Sequence, residues 1–368
     1  MDSIPTIEMQ KSFFHPICTD EEIERIFNVQ NAQDHLLKIR AETIVDHMRL
    51  FRVYRNKAIA AGKDWSLEKS FIGYHFIHFK NSLPPDLKQK CEEITFGNIF
   101  SNEPNGLIFK TDYGIITTLS DSLRYFFEFM NLGLLDFGKK VPMPVRINAM
   151  RIALRVMLQT ESLDFLMDPR GIITKDIQQH IYRSVPFQMQ FIAGHEYAHY
   201  LLDHINNNNT SQKHVLKAIF SSQDDYKPVE VYNTSQKDEF DADVASLNLA
   251  NYGLQEKKLV FEAGLLWFAC LDLYEAVHNY IFPPMGIQSH PPARARYLNL
   301  LDKVNIDWEF NTDYWTKEIP ATIDLYKEIF INDVGFNIDA YEFYGSLYLD
   351  KPNTKWRGKA LVDRVDYY

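Results

Sequence analysis

The stretch that decides the fold of this chain is residues 187–204, FQMQFIAGHEYAHYLLDH. Ser184 and Pro186 come just before it, and because proline is tolerated only in the first turn of a helix, they mark a helix start. The apolar and small residues that follow predict one helix running to about residue 204. Side chains that lie four residues apart on such a helix project from one face.

This predicted helix contains the pattern H-E-x-x-H, formed by His195, Glu196 and His199. The two histidines lie about one turn apart on the same face, so both imidazoles can bind one metal ion. Glu196 follows His195 directly and can reach a water on that metal without binding the metal itself, which is the geometry of a general base. The structural alternative is a pair of buried histidines near a helix end.

A catalytic zinc site needs a third protein ligand and leaves its fourth position to water. The metzincin continuation of the motif is excluded, because Leu202 and Ile205 occupy the positions of its glycine and third histidine. A carboxylate on the next predicted helix is the other solution, and the stretch EFDAD provides Glu239 and Asp243, again four residues apart. Glu239 is the predicted third ligand, and Asp243 is the predicted acceptor for the free ring N–H of a ligand histidine.

With these two helices the chain resembles the gluzincin metallopeptidases, most closely the group containing the CAAX prenyl proteases and the heat-shock membrane proteases. The stretch HEYAHYLLDH has an additional histidine, His204, five residues beyond His199, as this group often does. His204 falls on another face of the predicted helix, so we interpret it as structural. The stretch EFDADVA is similar to the group's E-F-x-A-D signature, with Glu239 in the ligand position and Asp243 in the position of the supporting carboxylate.

A third match is Ser289-His290-Pro291 with Arg296 six residues beyond His290, which resembles the T-H-P...R element beside the active site of the same group. His290 is therefore the candidate for stabilising a tetrahedral oxyanion, with Arg296 or Tyr232 as further candidates. A structural role for His290 beside Pro291 is the alternative. The resemblance covers roughly residues 187–301, and soluble peptidases of bacterial regulation or phage exclusion have a similar layout.

The resemblance implies a zinc-dependent endopeptidase that hydrolyses peptide bonds of a cytosolic protein substrate through a zinc-bound water activated by Glu196. The implied zinc ligands are His195, His199 and Glu239, and the catalytic candidates are Glu196, His290 and Arg296. The main alternative is a catalytically silent zinc-containing sensor or protein-binding module of a bacterial regulatory or defence system. Glu196 favours the enzyme, because metal binding alone does not need it. A structural helical protein with chance motifs is the third possibility.

The predicted fold class is mainly α (α+β), a zincin-like metallopeptidase core with a short β-hairpin or sheet and additional helical regions. Residues 106–119, GLIFKTDYGIITTL, predict the hairpin. Helices are predicted over residues 19–61, 120–135, 148–167, 174–183, 238–252 and 259–280, with Thr19 and Glu22 as a capping box and Gly253 closing helix 238–252. The predicted regions are an N-terminal helical region 1–105, the metallopeptidase domain 106–302 with an insertion loop 206–237, and an aromatic-rich C-terminal subdomain 303–368.

Composition narrows the classes of partner and compartment. The chain has 368 residues and a formal net charge of -10, with no dense basic tract, so we do not expect nucleic acid as a partner. Cys18, Cys91 and Cys270 lie far apart without C-x-x-C spacing, which suits a reducing compartment. The most apolar stretch, residues 259–282, contains two glutamates and an aspartate and is predicted as a buried helix, not a membrane span. Because the first residues form no signal peptide, we expect a cytoplasmic location.

Overall fold

The computed structural model of the chain describes residues 7–71, 73–100, 105–206, 210–213, 229–232, 235–284 and 290–349. This part of the protein is mainly helical with one small sheet, which confirms the mainly α (α+β) class predicted from the sequence. No helix within these ranges is both long and apolar enough to cross a membrane.

The α-helices are, in chain order, Ile7–Ser12 (α1), Asp20–Phe27 (α2), Ala32–Asp46 (α3), Met48–Ala61 (α4), Tyr74–Ser82 (α5), Pro85–Lys90 (α6), Ser122–Leu134 (α7), Met143–Met157 (α8), Lys175–Tyr182 (α9), Val185–Leu201 (α10), Gln236–Asn248 (α11), Leu254–Ile281 (α12), Ala293–Lys303 (α13), Ile319–Phe336 (α14) and Asp339–Glu342 (α15). Shorter turns are the 3-10 segments Gly62–Asp64, Glu68–Ser70, Cys91–Glu93, Gly138–Lys140 and His204–Asn206, and the π-helical turn Tyr314–Glu318.

Helix boundaries differ from the predictions where local backbone conformation interrupts the pattern. The capping box of Thr19 and Glu22 is present, but the predicted helical stretch 19–61 is divided into α2, α3 and α4. His47 separates α3 from α4 with an extended backbone, at φ -111° and ψ 99°. The prediction that Gly253 ends a helix was wrong: α11 ends at Asn248, and Gly253 is the extended residue immediately before α12.

The sheet has five strands, Thr95–Ile99 (β1), Gly106–Thr111 (β2), Gly114–Ser120 (β3), Thr210–Lys213 (β4) and Val229–Tyr232 (β5), in the order β1-β3-β2-β5-β4. β2 and β3 form the predicted hairpin, with Gly106 opposite Leu119 and Thr111 opposite Gly114. β1 is parallel to β3, and the other pairs are antiparallel. The hairpin thus forms the centre of the sheet.

The predicted insertion loop 206–237 contributes β4 and β5 to the sheet. β5 pairs with β2 through Phe109 opposite Val231 and Lys110 opposite Glu230, and β4 pairs with β5 on the outer side. Residues 214–228, between these strands, lie outside the described residues. The segment joining α10 to α11 is therefore attached to the sheet on its way between the two helices.

Two hydrophobic clusters organise the packing. The main cluster includes residues of α12, such as Phe261 and Phe268, together with Trp315 and Phe330 from the C-terminal region. A second cluster lies in the N-terminal region and contains Ile17, Leu37, Leu50 and Phe71. Aromatic residues beyond residue 303 therefore share a core with the central region, and the division into three regions stays a prediction.

A buried ion network follows α8, which ends at Met157 and not near residue 167 as predicted. The Arg170 guanidinium is fully buried and contacts three carboxylates. The members of the network are Arg49, Arg155, Arg170, Glu161, Asp164 and Asp168. Gln159 and Arg170 in this region have left-handed φ values of 63° and 64°, a conformation that costs energy for residues with a side chain.

Candidate metal centre

α10 presents the H-E-x-x-H residues as the sequence predicts. It begins at Val185 with Pro186 in its first turn, and His195, Glu196 and His199 are all buried. Gly194 allows close packing at this point, because a Cβ there would lie 2.7 Å from the Phe79 ring and 3.2 Å from Ser246 Cβ. The missing side chain lets α11, which carries Ser246, approach the histidine-bearing face of α10.

α11 places the predicted third ligand against that face. Its first turn is fixed by a capping box between Ser235 and Asp238, the residue immediately before Glu239. Glu239 and Asp243 both lie on the buried side of α11. The E-x-x-x-D spacing therefore directs both carboxylates toward α10, as expected for residues four apart on a helix.

His195, His199 and Glu239 converge on one point. His195 Nε2 lies 3.0 Å from His199 Nε2. The Glu239 carboxylate oxygens lie 3.5 Å from His195 Nε2 and 3.4 Å from His199 Nε2. Among the described residues these three form a group whose ligand atoms all lie within 4.8 Å of one another.

The donor set and its spacing fit a zinc ion. Ligand atoms at about 2.0–2.1 Å from a tetrahedral zinc are about 3.3 Å apart, close to the separations found between the imidazole nitrogens and the carboxylate oxygens. Two imidazoles and one carboxylate are also the ligand types of catalytic zinc sites that keep one position open. His195, His199 and Glu239 could therefore hold a metal ion.

Asp243 and Arg296 support the first of these histidines. Asp243 Oδ1 lies 2.9 Å from His195 Nδ1, on the ring edge opposite the ligand nitrogen. Arg296, from α13, donates from Nε and Nη2 to the two oxygens of Asp243 at 2.8 and 2.6 Å. The guanidinium also lies 4.7 Å from the centre of the Phe268 ring. Arg296 thus pairs with Asp243, and its Nη1 also lies 3.5 Å from Glu239 Oε2. Its contact with an oxyanion stays a prediction.

His290 lies at the open side of the cluster. Its Nδ1 is 3.2 Å from Glu239 Oε2, and its side chain is 45% exposed, whereas Glu239 is buried. This position is compatible with contact to a substrate as well as to the carboxylate. Tyr232, the other candidate, ends β5, and its side chain is outside the described part of the chain.

Glu196 is buried and interacts electrostatically with His195 and Glu239, but it does not belong to the group that could hold a metal. Burial raises the pKa of its carboxyl group to about 7, although the neighbouring His195 charge opposes the shift. Strand β2 passes directly over this carboxylate: a Cβ at Gly106 would lie 2.4 Å from Glu196 Oε1. Glu196 therefore has a pKa near neutrality and a position set by a neighbouring backbone.

The remaining titratable groups are tuned by burial and by one another. Burial would lower the pKa of His195, but its hydrogen bonds to Asp243 and Glu239 outweigh burial and raise that pKa to about 10. Burial lowers the pKa of His199 to about 4. Burial would raise the pKa of Glu239, but hydrogen bonds from His195 and His199 hold it far below its usual range. The site thus keeps an anionic carboxylate that a bound cation would complement.

Sequence reasoning missed one residue of this site and one contact. Gly106 is the first residue of the predicted hairpin but is separated from Glu196 by about ninety residues, so no pattern in the sequence indicates their contact. The sequence analysis noted His204 and interpreted it as structural, which stays a prediction. Its contact with His199, with 3.1 Å between the two Nδ1 atoms, was not predicted. The presence of this histidine in the sequence was the signal for the contact. The contact was missed because the predicted helix ran to about residue 204, whereas α10 ends at Leu201.

Comparison of the chain with models of protein families, with curated proteins and with solved structures finds no match. Its function must be inferred from its own residues and their geometry.

Proposed function

We propose that this protein is a zinc-dependent endopeptidase of the gluzincin type, with a zincin-like core formed by α10, α11 and the sheet. The observation that carries this proposal is the convergence of His195, His199 and Glu239, with the Glu196 carboxylate beside them and outside the ligand group. A site that only stored metal would have no use for a buried carboxylate in that position, since burying it is costly.

Zinc, when bound, supplies a Lewis acid that polarises the scissile carbonyl and makes water more acidic. The residues of the chain do the rest. Glu196 accepts a proton from the attacking water and later gives it to the leaving amine. Burial raises the pKa of its carboxyl group, which favours uptake of that proton. His290, half-exposed beside Glu239, is placed to donate to the developing oxyanion.

We propose that the substrate is a protein or peptide in the cytoplasm. The net charge of -10 disfavours nucleic acid, and the absence of membrane-spanning helices from the described chain agrees with a substrate met in solution. The prenylated substrates of the membrane-embedded proteases that the sequence resembles are not part of this proposal.

The test compares the wild-type protein with Glu196→Gln. Glutamine is nearly isosteric and cannot accept the proton, so zinc content should stay at one ion per chain while turnover falls by about 10²–10⁴-fold. Mapping new protein N-termini in cells that express either form would identify the substrate. Cleavages seen only with the wild-type protein support the peptidase. Identical N-terminal profiles, with zinc bound in both proteins, would reject it in favour of a silent zinc module.

A further inference from the structure

The two ligand histidines differ in what supports the ring edge opposite the metal. His195 has the Asp243 carboxylate at that edge, whereas His199 has the ring of His204, with 3.1 Å between the two Nδ1 atoms. The rings of His199 and His204 lie 5.2 Å apart at an angle of 65°. The His204 side chain is only 10% exposed, so this contact is largely sheltered from water.

The backbone brings His204 to this place by leaving the helix early. α10 ends at Leu201, and Asp203 has a left-handed φ of 60°. Left-handed conformation is unfavourable for a residue with a side chain, although aspartate tolerates it better than most. The turn folds His204 back beneath His199 instead of letting it continue around the helix, and the short 3-10 segment His204–Asn206 begins there.

We infer that His204 is a positioning residue of the metal centre, whose Nδ1 accepts a hydrogen bond from His199 Nδ1–H and so directs His199 Nε2 to the metal. This inference depends on the metal site in the proposed function, but not on peptide hydrolysis. A ligand histidine commonly donates its second ring N–H to a neighbouring acceptor, which fixes the tautomer and the ring orientation. A neutral imidazole that accepts at Nδ1 carries its own proton on Nε2.

The Nε2 atom of His204 faces the next helix. It lies 3.8 Å from Asp238 Oδ1, and Asp238 is the capping-box residue that immediately precedes Glu239. The order Asp238, His204, His199 thus links the start of α11 to the end of α10 through side chains. Each ligand on α10 is then oriented by a side chain that also contacts a residue of another helix.

The matched variants are His204→Asn and His204→Gln. The asparagine amide oxygen can take the place of Nδ1 and accept from His199, whereas the glutamine amide reaches the place of Nε2 instead. Zinc affinity is measured by competition with a chromophoric chelator, and the ligand field by the absorption of the Co²⁺-loaded protein. Removing an outer partner of a metal ligand typically costs about 10–100-fold in affinity. We expect that loss in His204→Gln and His204→Ala, with an altered Co²⁺ spectrum, and affinity within about threefold of wild type in His204→Asn.

Equal zinc affinity in the wild-type, glutamine and alanine proteins would overturn the inference, and so would an equal loss in the asparagine and glutamine variants. If His204→Ala fails to fold, the asparagine and glutamine variants still test the inference, because both keep a polar side chain. Thermal unfolding of the metal-free proteins checks that these two variants are equally stable. A wild-type protein that binds zinc but cleaves nothing would reject the peptidase and leave His204 in its role. A glutamine variant with wild-type zinc affinity would reject the positioning role of His204 and leave the proposed peptidase unaffected, since turnover is tested separately with Glu196→Gln.

Discussion

Gly106 on β2 lies against the carboxylate of Glu196 on α10, so close that a Cβ at Gly106 would come within 2.4 Å of Oε1 and 2.7 Å of Cγ. The sheet therefore contacts the proposed general base through backbone. Any side chain at residue 106 would have to displace that carboxylate or the strand itself. The position of the Glu196 carboxylate on α10 therefore depends on the register of the β2–β3 hairpin.

Gly106→Ala should leave zinc bound but lower turnover by about 10–100-fold, because small displacements of a reacting group are costly. Gly253→Ala is the matched control, since nothing lies within 4 Å of a Cβ there and its φ is -62°. Zinc content and cleavage rates of both variants are compared with wild type. Full activity in Gly106→Ala would show that Glu196 does not depend on this contact.

Asp243→Asn should weaken zinc binding by about 10–100-fold. The amide can still accept from His195, but it has no negative charge to stabilise the ligand ring or to pair with Arg296. The control is Asp241→Asn, an exposed residue of the same helix. A competition titration measures both affinities, and an Asp243→Asn value equal to wild type would reduce Asp243 to an ordinary helix residue.

Arg296→Lys should lower zinc affinity by about tenfold in the metal-binding assay, in which no substrate is present. Lysine keeps the charge but cannot donate to both Asp243 oxygens in the fork geometry of arginine. Arg294→Lys, on the same helix but paired with Asp272, is the control. A loss of turnover with unchanged zinc affinity would instead place Arg296 at the substrate, as the sequence resemblance suggested.

Glu42→Gln should stabilise the protein most at alkaline pH. Partial burial raises the pKa of Glu42 to about 7, above its usual value near 4.5, although the Lys38 ammonium, 3.7 Å away, opposes the shift. The folded state then binds the Glu42 proton more tightly than the unfolded state, so this contribution to stability is complete below about pH 4.5 and is lost as pH rises through about 7. Because glutamine does not ionise, the variant should gain on the order of 2 kcal/mol over wild type at about pH 8 and little at about pH 4.5.

Urea denaturation at the two pH values measures this difference, with the exposed Glu328→Gln as control. If Glu42→Gln changed the free energy of unfolding by the same amount at both pH values, as the control should, the Glu42 carboxyl would ionise normally in the folded protein.

α10 and α11 were predictable as the helices of the candidate site because their metal-ligand-type side chains are spaced four residues apart. His195 and His199 on α10, and Glu239 and Asp243 on α11, are each four apart, so helix formation alone places each pair on one face. The hairpin of β2 and β3 was predictable for a similar reason, since β-branched and apolar residues flank the turn at Gly114.

What the sequence could not predict is where tertiary contacts override local pattern. The helix with the H-E-x-x-H motif was predicted to run to His204, because the spacing of apolar residues contains no sign of the left-handed backbone at Asp203. The strands β4 and β5 form in a polar segment because β5 pairs with the edge of β2 and β4 pairs with β5. The local sequence does not predict this pairing, since strand formation depends on tertiary context. Gly106 belongs to the site only through packing between distant segments.

The ion network around Arg170 connects the N-terminal region with the C-terminal end of the described chain. Arg49 lies on α4, which contributes to the N-terminal cluster, and it pairs with Asp164. Tyr348, near the C-terminal end of the described chain, donates a hydrogen bond to Asp168. Pulling either segment away would leave buried charges without partners, at a cost of several kcal/mol. We therefore expect the N-terminal region and the segment around Tyr348 to unfold together, in one thermal transition, when unfolding is followed by circular dichroism.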